Sequence, residues 1–211
     1  MTHQSNKSIK TNKLFSLISI KNAGTRITTL IGILWPFAVY FSWHYDCAQI
    51  LCLIFIVLFL LRIITYRCPV QKLKPLFSCA LFTSVIAITI SIIALLSKSA
   101  DLLRYYPVAV NFIFLTCFGI SLVKTPSIIT RFAAITEKKI TPEIKTYTWK
   151  VTVVWSCFFL VNGLISLYTV IYGNNETWLA WNGVGSYIAI ATLMGIEYLI
   201  RCRLRNKGKL R

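Results

Sequence analysis

The side chains that do most enzyme chemistry are scarce in this chain of 211 residues. There are two histidines, His3 and His44, and six carboxylates. The seven cysteines are Cys47, Cys52, Cys68, Cys79, Cys117, Cys157 and Cys202, and none form a Cys-x-x-Cys pair. With so few nitrogen ligands, a zinc or haem site has almost nothing to build on, and no metal or cofactor is expected. Cys47 and Cys52 sit five apart near one helix start, where disulfide geometry is rare, so small apolar filler is the expected role of the cysteines. His44 and Asp46 are two residues apart, which does not match the His-x4-Asp spacing of a membrane acyltransferase. Gly-x-Ser-x-Gly elbows, paired carboxylates and glycine-rich phosphate loops are absent. No catalytic residue is assigned.

Polar residues inside apolar runs carry more information, because lipid penalises them unless they face a partner or a cavity. Asn111, Asn162, Asn182 and Glu197 are such residues. Asn162-Gly163 and Asn182-Gly183 each pair an amide with a residue that lets helices approach closely, which suits interhelical hydrogen bonding. Glu197 precedes Arg201 by four residues, the spacing of a helical ion pair. The sharper alternative is a polar cavity for a lipid head group or acyl chain, lined by the asparagines, with Glu197, Lys150 and Arg201 near its cytoplasmic mouth. Trp155, Phe158 and Phe159 then supply either packing or an aromatic lining for a long apolar chain.

The elements that must position these residues follow from hydropathy. Hydrophobic residues make up 56% of the chain and charged ones 14%, with a mean hydropathy of +0.68. Soluble domains carry about 25% charged residues. Uncharged runs occupy 27–43, 47–61, 75–97, 105–123, 151–175 and 177–196. A spanning helix needs about 20 apolar residues, and the short second run reaches that length if Arg62 snorkels. The fold expected is an all-α polytopic membrane bundle of about six helices, at 27–43, 47–65, 76–97, 106–123, 150–172 and 178–200. A basic tail, 1–26, precedes the bundle, a loop, 124–149, interrupts it, and a second basic tail, 201–211, follows.

Charge orients this bundle. Lys and Arg number 23 against six Asp and Glu, a net charge of +17. With both termini in the cytoplasm, 21 of the 23 cationic residues fall on the cytoplasmic side, and only Lys98 and Arg104 fall outside. The charge is therefore read as topology rather than nucleic-acid binding. In the loop, Ile128, Ile129, Phe132, Ala133 and Ile135 recur at helical spacing, which predicts an amphipathic helix lying on the surface. Thr141-Pro142-Glu143 reads as the start of a helix that continues into the membrane. Trp35, Trp43, Trp149, Trp178 and Trp181, with Tyr105 and Tyr106, are expected at the membrane interfaces.

The stretches Tyr106-Pro107-Val108 to Asn111, Thr125-Pro126-Ser127-Ile128 and Arg131-Phe132-Ala133 belong to a longer pattern. It continues through Tyr147-Thr148, Val151-Thr152, Trp155, Phe158-Phe159, Asn162-Gly163, Trp178, Asn182-Gly183 and Glu197-Tyr198 to Arg201. Over about residues 104–203 this resembles an uncharacterised family of bacterial inner-membrane proteins found in gene clusters for aryl-polyene and fatty-acid-like chains. A fainter similarity, through Trp155, Phe158-Phe159, Gly163 and Trp178, is to the intracellular septation protein A family. The resemblance implies a multi-pass inner-membrane accessory protein of envelope-lipid biosynthesis, and not a ketosynthase, whose Cys-His-His site has no counterpart here. Expected partners are membrane lipids and acyl-carrier-dependent enzymes, the latter drawn to a basic interface of Arg131, Lys138, Lys139, Lys150 and Arg201; a homo-oligomer is compatible. A small lipid transporter or a division-linked scaffold are the alternatives. If that interface recruits an acidic carrier protein, exchanging Lys138 and Lys139 for Gln weakens its capture in a pull-down; unchanged capture counts against recruitment.

Overall fold

In the computed structural model the described residues are 34–45, 47–65, 74–99, 101–137 and 139–207. The basic N-terminal tail, the end of the C-terminal tail, Asp46, Cys68 and Lys138 lie outside them. Among the described residues every regular element is helical. A helix over 34–44 (α1) leads to α2 (Ala48–Thr65) and α3 (Lys74–Ser97). A short 3-10 turn, Asp101–Tyr105, runs straight into α4 (Tyr106–Val123). A short helix, α5 (Ile128–Thr136), precedes the long α6 (Pro142–Ile171). The chain closes with α7 (Asn175–Leu179), a π-helical turn (Ala180–Gly185) and α8 (Ser186–Asn206).

Four helical stretches are long and apolar enough to cross a membrane: Ser78–Ser97, Asp101–Val123, Pro142–Ile171 and Asn175–Asn206. Ala48–Ile64 is apolar but shorter, and the first predicted span is described only from residue 34. Large apolar side chains such as Val57, Phe82, Leu164 and Ile188 stand exposed on these helices. A helix is suited to that setting because it satisfies its backbone polar groups internally.

Local signals explain the element boundaries. Ser127 caps α5 by accepting from the Thr130 amide, and Thr141 caps α6 by accepting from the Ile144 amide, with Pro142 in the first turn. The sequence pattern predicts the α6 start at Thr141-Pro142 and a helix in the α5 stretch. Asn174 caps α7 in the same way. At the end of α3, Lys98 takes φ 53°, and the Ser99 amide reaches back to the Ala94 carbonyl, a left-handed closure that glycine usually supplies.

The helices pack with α4 against α6, α2 against α3, and α3 against α4, while α5 lies on α6. One core joins α1, α2 and the 3-10 turn. Trp35 stacks on Phe55 at 3.9 Å between ring centroids and meets Tyr106 at 4.2 Å. Its indole donates to the Leu103 carbonyl at 3.4 Å, and the Trp178 indole donates to the Arg104 carbonyl at 3.2 Å. These findings correct the interfacial reading of the tryptophans. Trp35 and Trp178 are only 1% and 0% exposed, because the 3-10 turn offers carbonyls that let the polar edge of each ring go inside. Trp149, by contrast, remains exposed.

A second correction concerns the cysteines. Cys79 and Cys117, 38 residues apart, form a disulfide that ties α3 to α4. Spacing along the chain does not reveal which helices become neighbours, so the pairing was invisible to it. Cys52 is a buried, free thiol in the core and does act as filler.

Arg104 completes the structure at this end. Its guanidinium donates to the carbonyls of Thr169 and Gly173, both at 3.0 Å, and stands over the Trp43 ring at 5.6 Å. A cation at a helix C-terminus meets both the open carbonyls and the negative end of the helix dipole. We expect Arg104→Ala to destabilise the protein by about 2 kcal/mol, and Arg104→Lys by less, in thermal unfolding of micelle-solubilised protein. An Ala variant that melts with the wild type would remove the capping role.

Candidate functional site

Two concave regions contain most of the polar residues singled out above. The first is a cavity of about 170 Å3 bounded by α1, α4, α6, the π-helical turn and α8. Asn111, Asn162 and Asn182 line it together with Trp35, Tyr106, Phe114, Phe158 and Phe159. Asn111 comes from α4, one turn past Pro107, whose carbonyl accepts from its Nδ2 at 2.8 Å. From α6, Asn162 donates Nδ2 to Asn111 Oδ1 at 3.0 Å, so the two helices are joined by a direct amide pair. Gly163 allows this approach: a Cβ there would stand 3.1 Å from the Asn111 Cβ.

Asn182 arrives by a different route. It lies in the π-helical turn, and its Nδ2 donates to Thr169 Oγ1 at 3.1 Å and to the Trp178 carbonyl at 3.0 Å. A π turn inserts an extra residue into the helix and leaves backbone groups without their usual partners; such turns are frequent at functional sites. The Asn182 amide takes up one of those carbonyls. Its own Oδ1, like the Oδ1 of Asn162, is buried without a partner. Among the described residues, none that lines this cavity is charged.

The aromatic wall is layered. Phe114 and Phe159 stack at 5.2 Å across the α4–α6 seam, and Phe118 meets Phe159 edge-on at 5.1 Å. Trp155 does not line the cavity. It packs behind, against Phe158 at 5.7 Å and Phe159 at 5.8 Å, one turn earlier on α6.

The second region is a groove of about 330 Å3 between α5, α6 and the end of α8, floored by Ile129, Phe132, Ala133 and Ile144. Glu197 belongs here and not with the asparagines. It accepts from the Tyr147 hydroxyl at 3.1 Å and pairs with Arg201 at 3.6 Å, the ion pair its spacing predicts. Arg205 closes the rim through Glu137. The basic residues do not converge on one patch. Arg131 donates to the Pro126 carbonyl at 2.9 Å, beside Lys145 in a shallow pocket at the other face of α5. Lys139 and Lys150 are exposed, and Lys138 is outside the described residues.

What holds α5 in place went unnoticed in the sequence. Thr152 Oγ1 donates to Ser127 Oγ at 3.0 Å, Ser127 pairs with Thr130 at 2.8 Å, and Thr130 pairs with Thr148 at 2.7 Å. Ser121 Oγ in α4 accepts the Ile128 amide at 3.2 Å. All five hydroxyl residues are buried. Their only sequence signal was the i, i+4 spacing of Thr148 and Thr152 on an otherwise apolar helix, which by itself does not show a partner.

No protein-family model, curated protein or solved structure matches the chain.

The amide pair generates a quantitative expectation. In a double-mutant cycle of Asn111→Ala and Asn162→Ala, unfolding in micelles should give a coupling of about 0.6 kcal/mol, the usual size of an interhelical hydrogen bond in membrane proteins. Additive effects would mean the two amides do not bond.

Proposed function

We propose that this chain is a multi-pass protein of a bacterial inner membrane, with six spans and both termini cytoplasmic, that acts as an accessory in envelope-lipid or aryl-polyene-type biosynthesis. In this reading it holds or passes a lipid-like intermediate, and its basic cytoplasmic face keeps it near anionic lipids and acyl-carrier-dependent enzymes. The observation that carries the reading is the cavity between α1, α4, α6 and α8. Six aromatic residues and three amides line it, with no charged group among the described residues, the wall composition that suits a mostly apolar molecule oriented by a few polar contacts. Supporting the topology is the sorting of 21 of 23 Lys and Arg residues to one side of a six-span arrangement. Supporting the context is the resemblance over about residues 104–203.

A non-enzymatic role fits the side chains on the walls. The cavity offers no acid, base or nucleophile of the usual kinds beyond hydroxyls, so binding is the chemistry it can perform. A second reading, a small lipid transporter, draws on the π-helical turn, since an irregular turn beside a cavity is a place where a helix can hinge.

The test is a mass-spectrometric lipid and pigment profile of a deletion strain, with strains complemented by wild type and by Asn162→Ala. We expect an acyl or polyene species to accumulate or vanish on deletion, to be restored by wild type, and to be restored incompletely by the variant at equal protein level. An unchanged profile would overturn the lipid-pathway reading and favour a division-linked scaffold.

A further inference from the structure

The amides around the cavity do not complete one another's hydrogen bonds, and the two amide atoms left with no partner at all are of one kind. Asn111 uses both of its polar atoms, Nδ2 on the Pro107 carbonyl and Oδ1 on Asn162. Asn162 uses Nδ2 on Asn111, and Asn182 uses Nδ2 on Thr169 and Trp178. The remaining atoms are Asn162 Oδ1 and Asn182 Oδ1, on residues only 6% and 3% exposed. Both are acceptors. Buried acceptors without a donor are rare because the lost solvation is not replaced.

The surroundings narrow the donor. An ionised phosphate or carboxylate would bring more acceptor oxygens into a cavity that has no cation on its walls among the described residues. An ammonium or metal ion would exchange its hydration shell for two amide oxygens and no carboxylate, far short of what a desolvated cation requires. A neutral O–H meets neither objection. We propose that the cavity binds the hydroxyl end of a neutral, otherwise apolar molecule, with the O–H donated to Asn162 Oδ1 or Asn182 Oδ1 and the apolar body held against Phe114, Phe158 and Phe159. The terminal torsion of an asparagine side chain is broad, so a guest can draw either oxygen toward it by a rotation that also shifts the Nδ2 bonds of that amide. This rests on the reading of the cavity as a site for a lipid-like molecule and specifies the chemistry of that molecule's end.

Two photoreactive probes test it on the full chain in nanodiscs: a dodecanol carrying a mid-chain diazirine, and the methyl ether of the same alcohol. Labelling is mapped by mass spectrometry and normalised to labelling at Phe82, which is exposed on α3 and distant in sequence from the cavity walls. We expect the alcohol to label the segments 110–114 and 158–162 about tenfold more than the ether, the ratio that one well-made hydrogen bond gives. That preference should fall toward one in whichever variant, Asn162→Ala or Asn182→Ala, removes the accepting oxygen, and a preference kept in both would overturn the assignment to these amides; dividing by the wild-type ratio cancels any difference in how the probes enter the bilayer. Should Asn162→Ala fail to fold, the wild-type ratio of alcohol to ether still decides whether a hydroxyl is recognised. Equal labelling of the cavity by both probes would overturn the hydroxyl inference and leave the lipid-holding reading standing. Labelling of Phe82 alone would overturn both.

Discussion

The structure depends on how the carbonyls at one end of the bundle find donors. In hydrocarbon no water is available to complete a helix terminus or an irregular turn. Here the last carbonyls of α6 are met by the Arg104 guanidinium, and the carbonyls of Leu103 and Arg104 are met by two indoles. Five short segments are thereby held together: α1 through Trp35, the 3-10 turn through its carbonyls, α6 through Thr169, the following turn through Gly173, and α7 through Trp178. The arrangement also gives Arg104 a structural role. Arg104 is a cap and a partner of the Trp43 ring.

From that anchored end, α4 and α6 run side by side, and the cavity is a consequence of what lies between them and their neighbours. Gly163 brings the two backbones close enough for Asn111 and Asn162 to bond, while Phe114 and Phe159 stack a turn away. On the other side, the π turn presents Asn182 to Thr169 of α6. Close approach at one level and an irregular helix at another leave a space lined by rings and amides, with two amide oxygens unpartnered. At the far end of α6 the Ser127, Thr130, Thr148 and Thr152 hydroxyls bond one another and secure α5, which shapes the groove where Glu197 and Arg201 pair. The two concave regions therefore have different characters: neutral and aromatic at one, ionic-rimmed at the other.

Several of the side chains in these regions were recognisable before any coordinates. Asn111, Asn162 and Asn182 stood out because an amide in an apolar run needs a partner, and Gly163 because its neighbour was one of them. Glu197 and Arg201 were legible from a spacing of four. The start of α6 was legible from Thr141 and Pro142, and the helix of α5 from its apolar spacing. Less accessible were the properties that depend on which faces meet. Trp155 stood open between packing and lining, and it packs behind the wall; Trp35 and Trp178 looked like interfacial rings and are core; Glu197 was grouped with asparagines that it does not join. The Cys79–Cys117 bond and the hydroxyl cluster involve residues whose types carry no directional signal.

By itself the sequence determined that this protein is helical and apolar enough to cross a membrane, because span length, charge placement and capping residues are properties of contiguous segments. Tertiary structure decided which helices are neighbours, which rings turn inward, that the π turn carries Asn182 toward α6, and that two amide oxygens are left without donors. The physical reason is range. Hydropathy and capping act over a few residues and are written in order along the chain. Helix packing matches side chains 38 to 74 residues apart, as in Cys79 with Cys117 and Trp178 with Arg104, and that matching exists only once the helices are assembled.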